Sequence, residues 1–449
     1  MARSDVIPLR HAARAWARVA LQSFGGPAGQ IAVMHRVLVD ERRWIGPNRF
    51  LHALNFCTLL PGPEAQQLAV YIGWLLNGIR GGLLAGWLFV LPGVVTLYAL
   101  SVIYVSYGDA TLVNGLLSGV APAVLAIVVQ ALARIAGRAL GGRGLVLIAL
   151  AAFVALALFG VPFPAVVAVA GLLGWLLGRH SPQALAADDG RLDGPVPLLP
   201  DDATPYGRPN ARRAVAILTT GAVMWLLPLL LVSAWLGWAS TPAAQGRFFS
   251  GMALVTFGGA YAVLAYVAQR AVEDFSWLGP REMVRGLALA ETTPGPLIMV
   301  VQFVAFLGAY RTPGDLNPFV AATVGALLTT WVTFVPSFIL VFLGAPYVER
   351  LRHNATLRTA LAGVTAAVVG VIANLAVYFA THTLFRRTSA VDDGPLSLQV
   401  PDLTTARPLS LTVAAISAVL LFRFRWSVLP TLGVCAAIGL VWTVLTQVG

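Results

Sequence analysis

The chain contains no lysine: all 30 of its basic residues are arginine. A Walker A loop needs a lysine on the β- and γ-phosphates, and a Schiff-base enzyme needs a lysine amine, so neither chemistry is available. Charge of any sign is scarce. Only 11 % of residues are charged against 58 % hydrophobic, and the mean hydropathy is +0.79. A soluble domain carries roughly twice that charge, so lipid must be the solvent for much of this surface. There are two cysteines, Cys57 and Cys435, each in an apolar stretch, which suits small buried hydrophobes rather than a disulfide. Catalytic signatures are missing too. There is no H-E-x-x-H, no G-x-S-x-G and no histidine pair at helical spacing among the six histidines, so no catalytic residue, metal centre or cofactor is expected. Arg3, Arg10, Arg14 and Arg18 are followed by no A-x-A site, and no removable signal peptide is expected.

What is present is apolar runs, repeatedly long enough to cross a hydrocarbon core of about 30 Å. Thirteen candidate spans lie near 13–34, 53–76, 82–107, 112–133, 144–159, 163–178, 214–236, 248–269, 286–309, 319–344, 359–384, 409–422 and 428–447. The fold expected is an all-α polytopic membrane protein, with some spans broken or re-entrant. Residues 179–213, rich in aspartate, proline and glycine, read as a polar linker. With the N-terminus inside, 21 arginines fall on the inner side and 9 on the outer, which agrees with positive-inside orientation. In that count segment 270–285 is inside and 385–408 outside. The arginine-rich loop 35–52, assigned outside, runs against the trend. Arginines scattered through short loops point to topology and not to nucleic acid.

The chain repeats itself. Phe24-Gly25-Gly26 returns as Phe257-Gly258-Gly259, Trp44 as Trp277, and Pro61-Gly62-Pro63 as Pro294-Gly295-Pro296, all displaced by 233 residues. Further on, Pro92 matches Pro336 and Gly119-Val120 matches Gly363-Val364 at a displacement of 244, so eleven residues are inserted between, near 311–315. The expected organisation is a first repeat over 1–178, the linker, a connecting helix over 214–236, and a second repeat over 246–449. An odd number of crossings before the second copy would invert it. Inverted repeats place substrate sites near the midplane, at interrupted helices in matching positions.

Two prolines around a glycine break a helix, and Pro63 then suits the opening of a new one. The new terminus presents free N–H groups and the positive end of a dipole, which bind anions. Pro61, Gly62, Pro63 and Gln66 are therefore candidate substrate-binding residues. Thr292, Thr293, Pro294, Gly295 and Pro296 are expected to do the same from the second copy, the threonines adding hydroxyl donors. The paired glycines Gly25, Gly26, Gly258 and Gly259, with Gln30, allow close approach of an anion or of another segment. Gly82-x-x-x-Gly86 and Gly115-x-x-x-Gly119 read as helix packing. Gln22, Asn55, Gln67 and Gln302 could donate to an anion or bridge helices. Glu64 and Glu291 are intramembrane carboxylates, either coupling proton movement or capping helix ends. His35, Arg36, Arg42 and Arg43 form a basic cluster, which attracts an oxyanion or sets orientation.

At these residues the chain resembles the chromate ion transporter family. The matching stretches are Phe24 to His35, Leu59 to Ala69, Phe89 to Gly93, Phe257 to Leu264 and Glu291 to Ile298. Both halves carry them, which implies the long, two-domain form; Ala305 stands where the family often has glycine. The resemblance implies secondary active export of chromate across the bacterial inner membrane and chromate resistance, with sulfate as a structural analogue. The bilayer is the expected partner, and a homodimer is compatible with the sequence. A carrier for another oxyanion such as sulfate, or an anion channel, is the alternative. A membrane enzyme would need clustered catalytic groups.

Overall fold

The computed structural model describes residues 7–24, 26–108, 110–180, 198–199, 210–255, 257, 260–347, 355–393 and 396–448. Most of the expected linker, together with Gly25, Gly258 and Gly259, lies outside the described residues. The protein is helical almost throughout. In the first copy the helices are α1 (Leu9–Gln22), α2 (Gly26–His35), α3 (Pro47–Thr58), α4 (Glu64–Tyr107), α5 (Thr111–Ala139), α6 (Arg143–Ala157) and α7 (Phe163–His180). Next come α8 (Ala211–Leu236), α9 (Thr241–Val255), α10 (Ala260–Gln269), α11 (Pro280–Thr292), α12 (Val300–Arg311) and α13 (Pro318–Gly344). The chain continues with α14 (Ala355–Leu384), α15 (Pro408–Ala418) and α16 (Val428–Val448). Among the described residues, six helices are long and apolar enough to cross a membrane and four shorter ones are apolar. The 44-residue α4 is two legs, because Asn77 and Gly78 leave helical geometry. Leg α4a (64–76) folds back on leg α4b (79–107), with Gly73 against Gly81. Among the described residues one element is not helical: the antiparallel hairpin β1 (Thr388–Asp393) and β2 (Leu396–Pro401), which joins α14 to α15.

The duplication is visible in backbone detail. Both α2 and α10 end in a π-turn, Arg36–Glu41 and Arg270–Asp274. Each π-turn leads to a left-handed residue, Arg43 (φ 53°) or Ser276 (φ 50°). The tryptophan after it then donates its N–H six residues back, Trp44 to Leu38 O and Trp277 to Ala271 O, both at 2.8 Å. The inserted residues lengthen the turn between α12 and α13 relative to the sharp one at Asn77-Gly78. Past the β-hairpin the displacement becomes 265: Gly160 and Arg425 share φ 56°, and Val161 N–H to Ala155 O matches Trp426 N–H to Leu420 O, both 3.0 Å.

The described residues form two compact units, each drawing on both copies. Unit 1 comprises residues 1–98, 187–260 and 293–354; unit 2 comprises 99–186, 261–292 and 355–449. In unit 1 the equivalent helices α4b and α13 pack antiparallel, Gly82 on Phe342, Gly86 on Phe338, and Trp87 stacked on Trp331 at 5.5 Å. In unit 2 each copy's last helix packs on its counterpart's long one. Gly174 of α7 meets Gly363 of α14, and Gly439 of α16 meets Gly119 of α5. Both GxxxG pairs therefore serve packing, since a Cβ would overlap the facing helix at Gly82, Gly86 and Gly119 and crowd it at Gly115. Helix α15 runs parallel to α5, with Ser417 bonded to Ala123 O and Gln130 to Leu421 O. It begins where α14 ends, Arg407 N–H donating to Leu384 O at 2.8 Å. The equivalents α5 and α14 accordingly run in opposite directions.

One expectation fails. Segments 270–285 and 385–408 were assigned to opposite sides, yet Arg281 donates to the Arg386 carbonyl at 3.4 Å within unit 2. They share a side, which requires an even number of crossings between them where the span count had three. Of the three stretches counted between them, 286–309 is the one interrupted at Pro294-Gly295-Pro296.

Candidate functional site

Both proline-flanked breaks fall in unit 1, and each lies across the other copy's helix. Gly62 (φ 125°) faces Ser337, the residue after Pro336 in α13. Gly295 (φ 101°) faces Gly93, the residue after Pro92 in α4b. Left-handed backbone at these positions suits glycine, and a Cβ on Gly62 would come within 2.7 Å of both the Gln67 amide and Ser337 Oγ.

At the first break Pro63 is the N-cap of α4a, its carbonyl accepting the Gln67 N–H at 2.9 Å. The amides of Glu64, Ala65 and Gln66 then belong to the first turn and have no intrahelical acceptor. Gln67 Nε2 donates to Pro61 O at 2.7 Å and braces the bend. Gln66 Nε2 reaches Phe334 O at only 3.4 Å. Three buried polar atoms here lack any partner: Gln66 Oε1, Gln67 Oε1 and Ser337 Oγ. Such atoms are costly to leave unmade, and a ligand or water is the usual completion. Ser337 was missed from the sequence, although its counterpart relation to Gly93, one residue past each matched proline, is the signal that finds it.

The second break is built differently. Its Gly295 N–H donates to Ser23 O at 2.9 Å, and its carbonyl accepts Gln30 Nε2 at 2.7 Å. Gln30, expected to meet substrate, is thus a tie between the paired-glycine turn and the break. After Pro296 the chain makes a 3-10 turn, Leu297–Met299, before α12, with apolar residues where the first copy has Glu64, Ala65 and Gln66. The hydroxyl of Thr292 is turned to its own helix, on Leu289 O at 2.7 Å, rather than outward as a donor. Thr293 is buried. Gln302, another expected donor, is spent between Val94 O and the Thr330 hydroxyl.

Glu64 opens α4a. Glu291, in unit 2, is 1 % exposed, accepts the Tyr261 hydroxyl at 2.8 Å through Oε1, and leaves Oε2 without a partner. Gly26 is buried at the start of α2 with φ 73°. Two members of the basic cluster, His35 and Arg36, have acidic partners. His35 sits 3.2 Å from Asp40, Arg36 sits 3.7 Å from Glu41 and donates to Gln22, and Arg42 lies over the Trp44 ring. Arg43 holds the left-handed turn after the π-helix, and its carbonyl accepts from Leu198 N–H.

These features define a multi-pass membrane protein whose two copies cross-pack around interrupted helices, an architecture of transporters. The chain belongs to the chromate transporter family, whose profile matches residues 11–175 and 244–440. A chromate transport protein of Pseudomonas aeruginosa is 30 % identical over 413 residues, 90 % of this chain and 85 % of the relative. One of Cupriavidus metallidurans is 27 % identical over 377 residues, 84 % of each chain. An uncharacterized transporter of Methanocaldococcus jannaschii is 23 % identical over 363 residues, covering 81 % of this chain and 82 % of its own. No solved structure matches the chain.

Proposed function

We propose that the protein exports chromate across the bacterial inner membrane by secondary active transport and so confers chromate resistance. Family membership and the names of the relatives support the ion. The observation that carries the mechanism is the first break: at Gly62 a helix opens with three first-turn amides that have no intrahelical acceptor, near the unpartnered hydroxyl of Ser337. Pro61, Gly62 and Pro63 shape that opening, and Gln66, whose long bond to Phe334 O is easily exchanged, completes it. Backbone amides stabilise a dianion without a fixed positive charge, so the ion can leave again. The second break, with Thr292, Thr293, Pro294, Gly295 and Pro296, is the joint on which the repeats exchange access, and Gly25, Gly26, Gly258 and Gly259 remain candidate contacts for the ion. Inverted copies make the two access states mirror one another. Glu64 and Glu291 are the proposed groups for coupling protons to this exchange, with capping of the helix ends as their alternative role. An inside-negative potential of 100 mV favours outward movement of two charges by about 4.6 kcal/mol. A site of amides and a hydroxyl reads shape and charge, so sulfate is the competing substrate.

The test is purified protein in liposomes, with chromate flux measured under an imposed potential and an imposed pH gradient separately. Saturable flux that chromate wins over sulfate supports the reading. Sulfate preference would reassign the ion, and flux that fails to saturate would make the protein a channel.

A further inference from the structure

Unit 2 holds a cavity of about 410 Å³ far richer in positive charge than anything at the first break. Arg281 and Arg285 enter it from successive turns of α11, Arg386 from just past the end of α14, and Arg407 from the residue before α15. No carboxylate lines it. Among the described residues none of the four guanidiniums is ion-paired with an acid. Their bonds are to neutral groups: Arg285 to Asn114 Oδ1 at 2.8 Å and the Tyr104 hydroxyl at 3.5 Å, Arg281 to the Arg386 carbonyl at 3.4 Å. Glu282 faces an adjoining cavity, where it caps Gly279 N–H at 2.8 Å and accepts the Tyr104 hydroxyl at 3.3 Å. Burial first, then the like charges of Arg281, Arg386 and Arg285, hold the Arg407 guanidinium below its ordinary value.

Two polar atoms at this wall are buried and unused. Thr383 is 7 % exposed with no partner for its Oγ1, and Arg407 Nε is likewise alone. Gathering four like charges without a counter-ion costs energy that the fold does not require. The first copy shows this: at the positions equivalent to Arg281 and Arg285 it has Asn48 and His52, and it lacks the 385–407 insertion that brings Arg386 and Arg407. Planar guanidinium forks and a hydroxyl are the donor set that a tetrahedral dianion takes.

We propose that this cavity is a binding site for a tetrahedral oxyanion group, held by Arg281, Arg285, Arg386, Arg407 and the Thr383 hydroxyl. The group comes either as a free dianion or as the phosphate of an acidic lipid headgroup. The site is distinct from the first break and stands whether or not chromate is the transported ion.

The experiment uses the full chain in nanodiscs, titrated calorimetrically with sodium sulfate in a Gly62→Leu background that removes the first break. In phosphatidylcholine alone, a free-ion site gives saturable binding. Arg386→Gln with Arg407→Gln weakens it at least about tenfold, the scale of a lost charge-assisted bond, and Thr383→Val weakens it less. A headgroup site instead shows phosphatidylglycerol retained by the wild-type chain in native mass spectrometry and lost from the double variant. Arg386 is exposed, so Arg386→Gln alone provides a readout if the double variant fails to fold. Sulfate affinity and lipid retention both unchanged in variants that keep the wild-type melting temperature would overturn the proposal.

Discussion

The two proline-flanked breaks share a sequence, a left-handed glycine and a crossing on the other copy's helix, yet they are fastened differently. At Gly62 the side-chain oxygens of Gln66, Gln67 and Ser337 have no partner; at Gly295 the amide and carbonyl are taken by Ser23 and Gln30. The position equivalent to Gln30 is Val263, which cannot donate, so the tie exists on one side only. Duplication therefore supplied two helix openings, and divergence assigned them different work. One is a candidate anion seat and the other a fastened joint.

That comparison can be broken in several ways. The largest effect is expected from Gly62→Leu, where any Cβ meets Gln67 and Ser337 and φ is left-handed. Chromate flux into liposomes should fall to background while the protein still inserts, judged by its elution as a folded species. Normal transport by this variant would remove the first break from the mechanism. Ser337→Ala comes next: losing one hydroxyl donor should raise the KM for chromate by about tenfold with little change in melting temperature. Gln30→Val makes the first copy resemble the second at that position. It should lower stability by about 1–3 kcal/mol, by leaving a buried carbonyl unsatisfied, with KM nearly unchanged; thermal unfolding beside flux kinetics separates the two. A Gln30 variant that changed KM and spared stability would return that residue to the substrate. The smallest effect is expected from Thr292→Val, whose hydroxyl bonds only its own helix. Flux within about twofold of wild type is anticipated from the modest worth of such a bond.

The repeat, the membrane class and the position of both breaks were legible in the amino-acid sequence because each rests on local chemistry: proline without an N–H, glycine without a Cβ, apolar runs of spanning length. Trp44 and Trp277, which keep the constant displacement, occupy the same position after the π-turn in both copies. What stayed hidden depends on long-range pairing. Gln30 and Gly295 are 265 residues apart, and nothing in either stretch announces that one fastens the other. The expectation that the second break mirrors the first neglected its opening residues, Leu297, Ile298 and Met299, whose apolar character was plain in the sequence. The arginine count assumed that every apolar stretch crosses once, and the contact of Arg281 with the Arg386 carbonyl is incompatible with three crossings between them. The cation-lined cavity escaped notice because its arginines come from three separate segments, each an ordinary helix end when read alone.

The central claim is that the opening at Gly62 seats the transported dianion. The most direct measurement is a cryo-electron microscopy map of the full chain in nanodiscs with saturating chromate, at a resolution that places side chains. The account predicts tetrahedral density at the start of α4a, within hydrogen-bond reach of the amides of Glu64, Ala65 and Gln66 and of Ser337 Oγ. An empty opening there, with chromate seated at Gly295 instead, would contradict it.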